Sequence, residues 1–380
     1  MKHINTMKTA VIGCGAISDI YFQNLTSMFS ILNVVACCDL NAALQQQTAE
    51  KYNLKQMSMA EIMEDKTIEM VINLTPPGVH YSVIKSLLES GKHVYTEKVL
   101  AVELWQAKEL MELADSKNLY LGAAPDTFLG AAVQTSRFVV ESGMIGEVTS
   151  CYAALNRDCG LLAERFPYTA KTGGGIGMDV GIYYVTALLS ILGPVTEAVG
   201  ICKTMDAQRT HYFTSKENFG EAYTLESENL MTGTISFASG VVGTIHFNSN
   251  SIMNERPQMV IYGTQGILYM PDPNRFGGDV KVLLKGQTEP FVMPANYAYS
   301  ENCRGLGAAE MAWSIRKDRA PRACKEMAYH ALEVLSGIVE SSQTKAFYQM
   351  KSTFTKMPPL PQGYLDERYY KSEAEAGLVY

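Results

Sequence analysis

Two segments carry side chains whose chemistry is unusual for their surroundings. Tyr95-Thr96-Glu97-Lys98 ends an apolar run, which puts a lysine at the carboxyl edge of a strand, the side on which open α/β sheets bind ligands. A cation there can polarise a hydroxyl or carbonyl oxygen, although by position alone a solvated strand-end lysine is the commoner outcome. Farther on, Gly173-Gly174-Gly175-Ile176-Gly177-Met178-Asp179-Val180-Gly181-Ile182-Tyr183-Tyr184 joins a glycine run to a helix. The glycines open room for backbone to approach a ligand. Asp179 and Tyr183 are four residues apart, so an acid and a phenol project from one helix face. The plainer alternative is an aspartate favoured by the helix dipole, with Tyr183 packed in the core.

A third segment, Gly13-Cys14-Gly15-Ala16-Ile17-Ser18, follows the first apolar strand and opens the first helix. The first glycine permits a tight turn, the second lets backbone approach a pyrophosphate, and the helix start supplies N–H groups from Ala16, Ile17 and Ser18. Ser18 replaces the usual third glycine; it is small enough for close helix packing, and its hydroxyl can reach a phosphate. Asp39, 21 residues after Ser18, ends the second strand, where a carboxylate accepts bonds from ribose hydroxyls. No Arg or Lys follows before Lys51 to receive a 2′-phosphate, so NAD(H) is expected over NADP(H). A capped βα turn without a ligand is the alternative.

These residues need a frame. Residues 7–13, 33–38, 69–74, 92–97 and 119–123 read as buried strands, and 16–29, 41–52, 58–65, 79–90 and 102–117 have helical spacing. The last of these places Val102, Leu104, Trp105, Leu110, Leu113 and Ala114 on one broad side. Such alternation predicts an α/β unit with a parallel sheet and right-handed crossovers. After about residue 125 the pattern changes. A helix at 131–142, a strand at 147–155, a polar stretch to Gly175 and a helix at 177–192, stopped by Gly193-Pro194, precede a region of strands from 195 to 270. Hairpins around Ser239-Gly240 and Thr264-Gln265 make that region antiparallel, and 305–316 and 323–342 read as helices, so the second part is α+β. The division is expected at 1–125 and 126–380, with the tail from about 356 unassigned.

Composition narrows the function classes. The 380 residues carry 32 Lys plus Arg against 39 Asp plus Glu, a net charge of −7, and no clustered basic patch, so nucleic acid is not an expected partner. No apolar run approaches the roughly 18 residues of a membrane span. The N-terminal apolar segment runs into glycines without an A-x-A-like cleavage site, so a soluble, cytoplasmic protein with no membrane partner is expected. The eight cysteines form no C-x-x-C and read as reduced structural thiols, with no metal site. His246 and His330 lie in apolar contexts and read as satisfied core histidines.

GCGAIS at 13–18, the strand-end Asp39, LTPPGVH at 74–80, GKHVYTEK at 91–98, IGEV at 145–148 and GGGIGMDVGIY at 173–183 recur in one order over two regions. From about residue 7 to 345 the chain resembles the Gfo/Idh/MocA oxidoreductase family. The resemblance implies an N-terminal Rossmann domain, a C-terminal α+β domain with a large, mainly antiparallel open sheet, nicotinamide chemistry on sugars and polyols, and association through that sheet as a homodimer or homotetramer. It implies that Lys98 binds and polarises the reacting oxygen and that Asp179 holds substrate. Tyr183 stands where many members have a proton-transferring histidine; a tyrosine there is similar to the glucose-fructose oxidoreductase and dihydrodiol dehydrogenase branches. A free phenol titrates near 10, and a neighbouring ammonium favours its phenolate. Val99 replaces the motif's proline; a cis bond is expensive with valine, which leaves the presentation of Lys98 open.

On the cofactor side the resemblance adds Thr75, Pro76, His80 and Glu97, with His80 alternatively an early helix residue. On the substrate side it adds Asp126, Asn156, Arg157 and Lys171. Three of them have a bland alternative: a turn cap for Asp126, a surface ion pair for Arg157, a mobile surface lysine for Lys171. The expectation is an NAD(H)-dependent oxidoreductase acting on a secondary hydroxyl or keto group of a sugar, glycoside or polyol. Two others share the motifs: an NAD-dependent glycosidase that works by transient sugar oxidation and elimination, and a dinucleotide-binding regulator without catalysis, for which Val99 speaks.

Overall fold

The protein is described by a computed structural model over residues 5–255, 257–294 and 296–361. The first sheet is parallel, with strands β1 Met7–Ile12, β2 Leu32–Cys38, β3 Lys55–Gln56, β4 Met70–Asn73, β5 His93–Thr96 and β6 Leu121–Ala123. Their order is β3-β2-β1-β4-β5-β6. Crossover helices α1 Ser18–Ser27, α2 Ala42–Tyr52, α3 Met59–Glu64, α4 His80–Glu89 and α5 Leu104–Ser116 connect them. Every residue of β4 is buried, which is why this strand reads as a continuous apolar run rather than an alternation. Side chains fix the helix starts: Asn41 accepts from Ala43 and Leu44 N–H at α2, and Ser58 with Glu61 forms a capping box at α3. The pair of exposed residues in β3 has no apolar signature, so the sequence does not reveal it. α5 buries Ala107, Leu110 and Ala114, whereas Trp105 is exposed, its ring edge-on to Tyr81. The broad apolar side expected for this helix is therefore narrower, and its tryptophan lies outside the core.

The second part opens with α6 Ala131–Glu141 and strand β7 Val148–Asn156, followed by α7 Cys159–Arg165 and α8 Ile182–Leu192. β8 Val195–Lys203 leads to a small separate hairpin, β9 Gln208–Thr210 with β10 Ala222–Thr224. Then come β11 Leu230–Phe237, β12 Val242–Asn248, β13 Gln258–Gly263, β14 Gly266–Met270, β15 Lys281–Leu284 and β16 Phe291–Val292. α9 Leu306–Arg316, α10 Lys325–Thr344 and β17 Tyr348–Gln349 complete the order.

The nine-stranded sheet runs β16-β15-β14-β13-β7-β12-β11-β8-β17. Both expected hairpins are present, β11–β12 and β13–β14. One seam differs from a wholly antiparallel pattern, because β12 lies parallel to β7; the sheet is mixed but mainly antiparallel. α8 is buried almost along its length, and α10 buries Met327, Ala331, Leu332, Val334, Leu335 and Ile338. His330 accepts from Val195 N–H at 2.9 Å and faces Ser352 Oγ at 2.8 Å, a satisfied core histidine. His246 is only half-buried. It shares its strand face with Val242 and Thr244, both exposed, because the sheet alternates and Ile245 and Phe247 take the core side.

Past β17 the chain runs without regular structure to residue 361, held by Arg322 donating to the carbonyls of Pro358 and Pro359 and by Leu360 N–H donating to Gln134. The tail beyond 361 lies outside the described residues. Among those residues, no helix is long and apolar enough to cross a membrane.

Candidate active site

The turn between β1 and α1 has the shape a pyrophosphate needs. Gly13 has φ +104°, and a Cβ there would fall 2.7 Å from the Leu74 carbonyl carbon, so only glycine fits. Beside Gly15 the same test meets open space. The α1 N-cap, Ile17, provides no side-chain cap, but the Ser18 N–H already donates to Gly15 O at 3.0 Å, so of the three expected donors Ala16 and Ile17 are the ones left to suit a phosphate. Ser18 is placed differently from expectation: its buried hydroxyl donates to Gly15 O at 2.7 Å and does not point at a phosphate position. Asp39 is fixed from both sides, Oδ2 accepting from Cys14 N–H and Oδ1 from Asn41 N–H, each at 2.7 Å. Lys51, the first cation downstream, pairs with Asp19.

Lys98 leaves the end of β5 and reaches the segment before α8. Its Nζ donates to Asp179 Oδ1 and to the Asp179 carbonyl, both at 2.7 Å. The two side chains are 11% and 9% exposed. Tyr168 donates its hydroxyl to the same Oδ1 at 2.8 Å. Nζ also lies 5.6 Å from the Tyr183 ring centroid, so Lys98, Asp179 and Tyr183 form one cluster. Burial opposes the Lys98 charge, but Asp179, Tyr183 and Tyr168 outweigh it and hold the ammonium well above its ordinary range. Burial pushes the Tyr183 phenol up, and Lys98 and the Arg304 guanidinium at its hydroxyl pull it back only in part. The neighbouring ammonium favours the phenolate as expected, but desolvation of the phenolate is the larger effect. The Lys98–Val99 peptide bond is cis.

The local backbone around Asp179 is a π turn, Gly177–Gly181, before α8 begins. The glycine run ahead of it, Gly173–Gly175, serves packing rather than opening room for a ligand, unlike the expectation. A Cβ on Gly174 would lie 2.1 Å from Tyr168 O, one on Gly175 2.1 Å from the Glu228 carboxyl carbon, and one on Gly173 2.6 Å from Val102 Cγ1. Glu228 fills the space that the missing side chain leaves. Its Oε1 is buried without a hydrogen-bond partner, and burial raises its carboxyl.

The remaining candidates separate into those near this cluster and those elsewhere. Glu97 accepts from Tyr21 OH at 2.6 Å and from Lys98 N–H at 3.1 Å. Thr75 donates through N–H and Oγ1 to Asn73 Oδ1, and Pro76 starts a short 3-10 turn at Pro77–Val79. His80 is fully buried, with Nδ1 2.6 Å from Val99 O and Nε2 2.7 Å from Thr75 O. Each ring nitrogen faces a backbone carbonyl, so His80 bridges the Thr75 and Val99 segments, with burial holding the ring neutral.

Asp126 is likewise buried, and its Oδ2 accepts from Gly305 N–H at 2.9 Å and Gly307 N–H at 3.0 Å. It caps the start of α9, and burial pushes its carboxyl up to about 6. At the end of β7, Asn156 accepts from Asn248 at 2.9 Å and Arg157 sits 3.6 Å from Asp272, which also takes the Tyr184 hydroxyl. Lys171 is 66% exposed and paired with Glu226 at 2.8 Å, a surface ion pair apart from the cluster. Two neighbours of the cluster escape sequence reasoning. Tyr168 lies in a stretch without periodicity. Arg304, held by Asn302 Oδ1 at 2.6 Å and Asn274 Oδ1 at 2.9 Å, comes from a loop far along the chain.

Comparison with known proteins identifies the family and the fold. A family model described as "Oxidoreductase family, NAD-binding Rossmann fold" matches residues 7–124, and one described as "GFO/IDH/MocA C-terminal domain" matches 133–269. An uncharacterized oxidoreductase of Schizosaccharomyces pombe is 28% identical over 208 residues, 53% of this chain and 56% of that protein. A second from the same yeast is matched over 52% of its length, so the chain spans about half the length of these curated relatives. D-glucoside 3-dehydrogenase of Escherichia coli is 28% identical over 67% of this chain and 73% of its own. In fold, the chain is similar to levoglucosan dehydrogenase in complex with NADH, with a TM-score of 0.78 at 17% identity, over 92% of this chain and all of the other.

Proposed function

The chain belongs to the GFO/IDH/MocA oxidoreductase family, and from that premise we propose that it is an NAD(H)-dependent oxidoreductase acting on a secondary hydroxyl or keto group of a sugar, glycoside or polyol. The observation that carries the reading is the buried contact of Lys98 with Asp179 beside the Tyr183 phenol. In this reading residues 1–125 hold the dinucleotide and 126–380 the substrate.

The residues present fit the cofactor. Gly15 opens onto free space beside an uncapped helix start, which suits a pyrophosphate. Asp39 is held rigid with lone pairs left for ribose hydroxyls, and a fixed carboxylate disfavours a 2′-phosphate. When bound, the nicotinamide supplies hydride exchange with the substrate carbon.

The chain's own groups handle the proton and the oxygen. Lys98 spends two of its three N–H donors on Asp179; the third remains for the substrate oxygen, where it stabilises developing negative charge. Asp179 Oδ1 is occupied by Lys98 and Tyr168, so Oδ2 is the oxygen left to accept from a neighbouring substrate hydroxyl. In reduction the Tyr183 phenol, kept protonated by burial, donates its proton to the carbonyl oxygen. In oxidation the phenolate, supported by Lys98 and Arg304, accepts the hydroxyl proton.

A second copy of the chain suits the outer face of the nine-stranded sheet, where Ile201, Val242 and Tyr262 are exposed, giving a homodimer or homotetramer. The test is a panel of sugars, glycosides and polyols with NAD or NADP, read by absorbance at 340 nm and by product mass. Net NADH formation supports the dehydrogenase reading; release of an aglycone without NADH replaces it with the glycosidase. NAD binding without turnover, insensitive to Lys98→Ala, replaces it with the regulator.

A further inference from the structure

The segment leading into Asp179 carries two aromatic rings that the proposed chemistry leaves unused. Tyr168 lies partly exposed on a short 3-10 turn, Pro167–Ala170, with its hydroxyl on Asp179 Oδ1. Phe166 precedes it, ring centroid 6.3 Å from that of Tyr168 at an angle of 49°, and is 37% exposed. The two rings therefore make a continuous aromatic edge that begins at Asp179 and ends in solvent.

This edge is held in place. Phe166 N–H donates to Leu162 O at 2.7 Å, Thr169 N–H to Phe166 O at 2.9 Å, and Ser227 Oγ to Thr169 O at 2.9 Å. Pro167 restricts the backbone of Phe166. The Tyr168 carbonyl packs where a Gly174 side chain would otherwise stand. A rigid apolar ring that stays in water next to a polar cluster loses little entropy when a flat partner covers it.

We infer that Phe166 and Tyr168 form a subsite for a second ring, so that the substrate is a glycoside whose sugar is held at Asp179 and Lys98 and whose aglycone, itself a ring, packs on Phe166. The inference rests on the oxidoreductase reading and narrows it. The C–H face of a pyranose or an aryl ring is apolar and matches an aromatic face. Tyr168 is joined directly to Asp179, whereas Phe166 lies one ring farther out, 6.3 Å from Tyr168 between centroids, which suits a second ring rather than the sugar held at Asp179.

The test compares the methyl glycoside, the phenyl glycoside and the glucosyl disaccharide of one sugar as substrates of the full chain with saturating NAD. Wild type should favour the two ringed aglycones by about tenfold in kcat/KM, roughly the effect of burying part of one aromatic face. Phe166→Ala should remove most of that preference through KM, and Phe166→Tyr should keep it; an unchanged melting temperature shows that each variant is folded. Equal kcat/KM for all three glycosides in wild type, or an equal loss on all three in Phe166→Ala, overturns the subsite while leaving the oxidoreductase reading standing. Absence of NADH formation with every substrate overturns both.

Discussion

Lys98 Nζ and Asp179 Oδ1 lie 2.7 Å apart, and the same ammonium holds the aspartate's own carbonyl, so the end of β5 and the turn before α8 are joined through one buried ion pair. Such pairs are costly to break on one side, because the remaining charge is left buried without compensation.

Lys98→Ala is expected to lower kcat/KM by about a hundred- to a thousandfold, as for loss of a main oxyanion-stabilising donor. It should also reduce unfolding stability by about 3 kcal/mol. Initial rates and denaturant unfolding of the same preparations check both. Activity within tenfold of wild type would remove Lys98 from the chemistry.

Arg304 and Lys98 oppose the burial that raises the Tyr183 phenol. Arg304→Met removes one of the two cations, so the phenol rises further. Oxidation needs the deprotonated form; its rate climbs with pH, and that limb should move up by about one pH unit. The alkaline limit of reduction should move the same way. The pH profile of kcat in both directions is the measurement, and a displaced KM with an unmoved profile would assign Arg304 to substrate binding.

Asp39→Ala removes a carboxylate already oriented by Cys14 and Asn41 N–H groups. NADH affinity should fall by about 1.5–3 kcal/mol, the range for hydrogen bonds to a charged group, and the preference over NADPH should shrink. Fluorescence titration with each reduced dinucleotide checks this. A clear NADP preference in wild type would contradict the placement of the adenosine ribose at Asp39.

Asp126 titrates at about 6 in the fold, above an unfolded aspartate near 3.9. The folded chain therefore binds a proton that the unfolded chain releases, and this contribution, present below about pH 4, is lost as pH rises through 6. Asp126→Asn keeps the acceptor for Gly305 and Gly307 without titrating. Relative to that variant, wild type should lose about 2–3 kcal/mol between pH 4 and 7, measured by melting both across the range. A flat difference would mean that Asp126 stays ionised at its cap.

The parallel sheet was legible because inner strands such as β4 are buried on both faces and read as apolar runs, and because Gly13 and Gly15 follow β1 while Asp39 follows β2. Lys98, Asp179 and Tyr183 were legible through motif context. What the glycine run does was not, since Gly175 is explained by Glu228, 53 positions later, and a one-dimensional reading cannot see what occupies a missing side chain's space. Tyr168 and Arg304 stayed hidden for a related reason: neither lies in an amphipathic repeat, and each gains significance only from the residue it meets. Asp126 and His80 show the converse, because a polar residue near a site motif can have its side chain engaged by backbone groups.

The parallel seam between β7 and β12 also has a kinetic meaning. It aligns Asn156 with Asn248 across a separation of 92 residues, whereas β12 meets β11 through a tight hairpin. Loop-closure entropy must be met before a distant pairing rewards the chain, so the hairpin can assemble early and dock on β7 as a unit. The edge bearing Asn156 and Arg157 then belongs to a late step of folding, and destabilising the β11–β12 hairpin should slow acquisition of this edge more than formation of the dinucleotide-turn sheet.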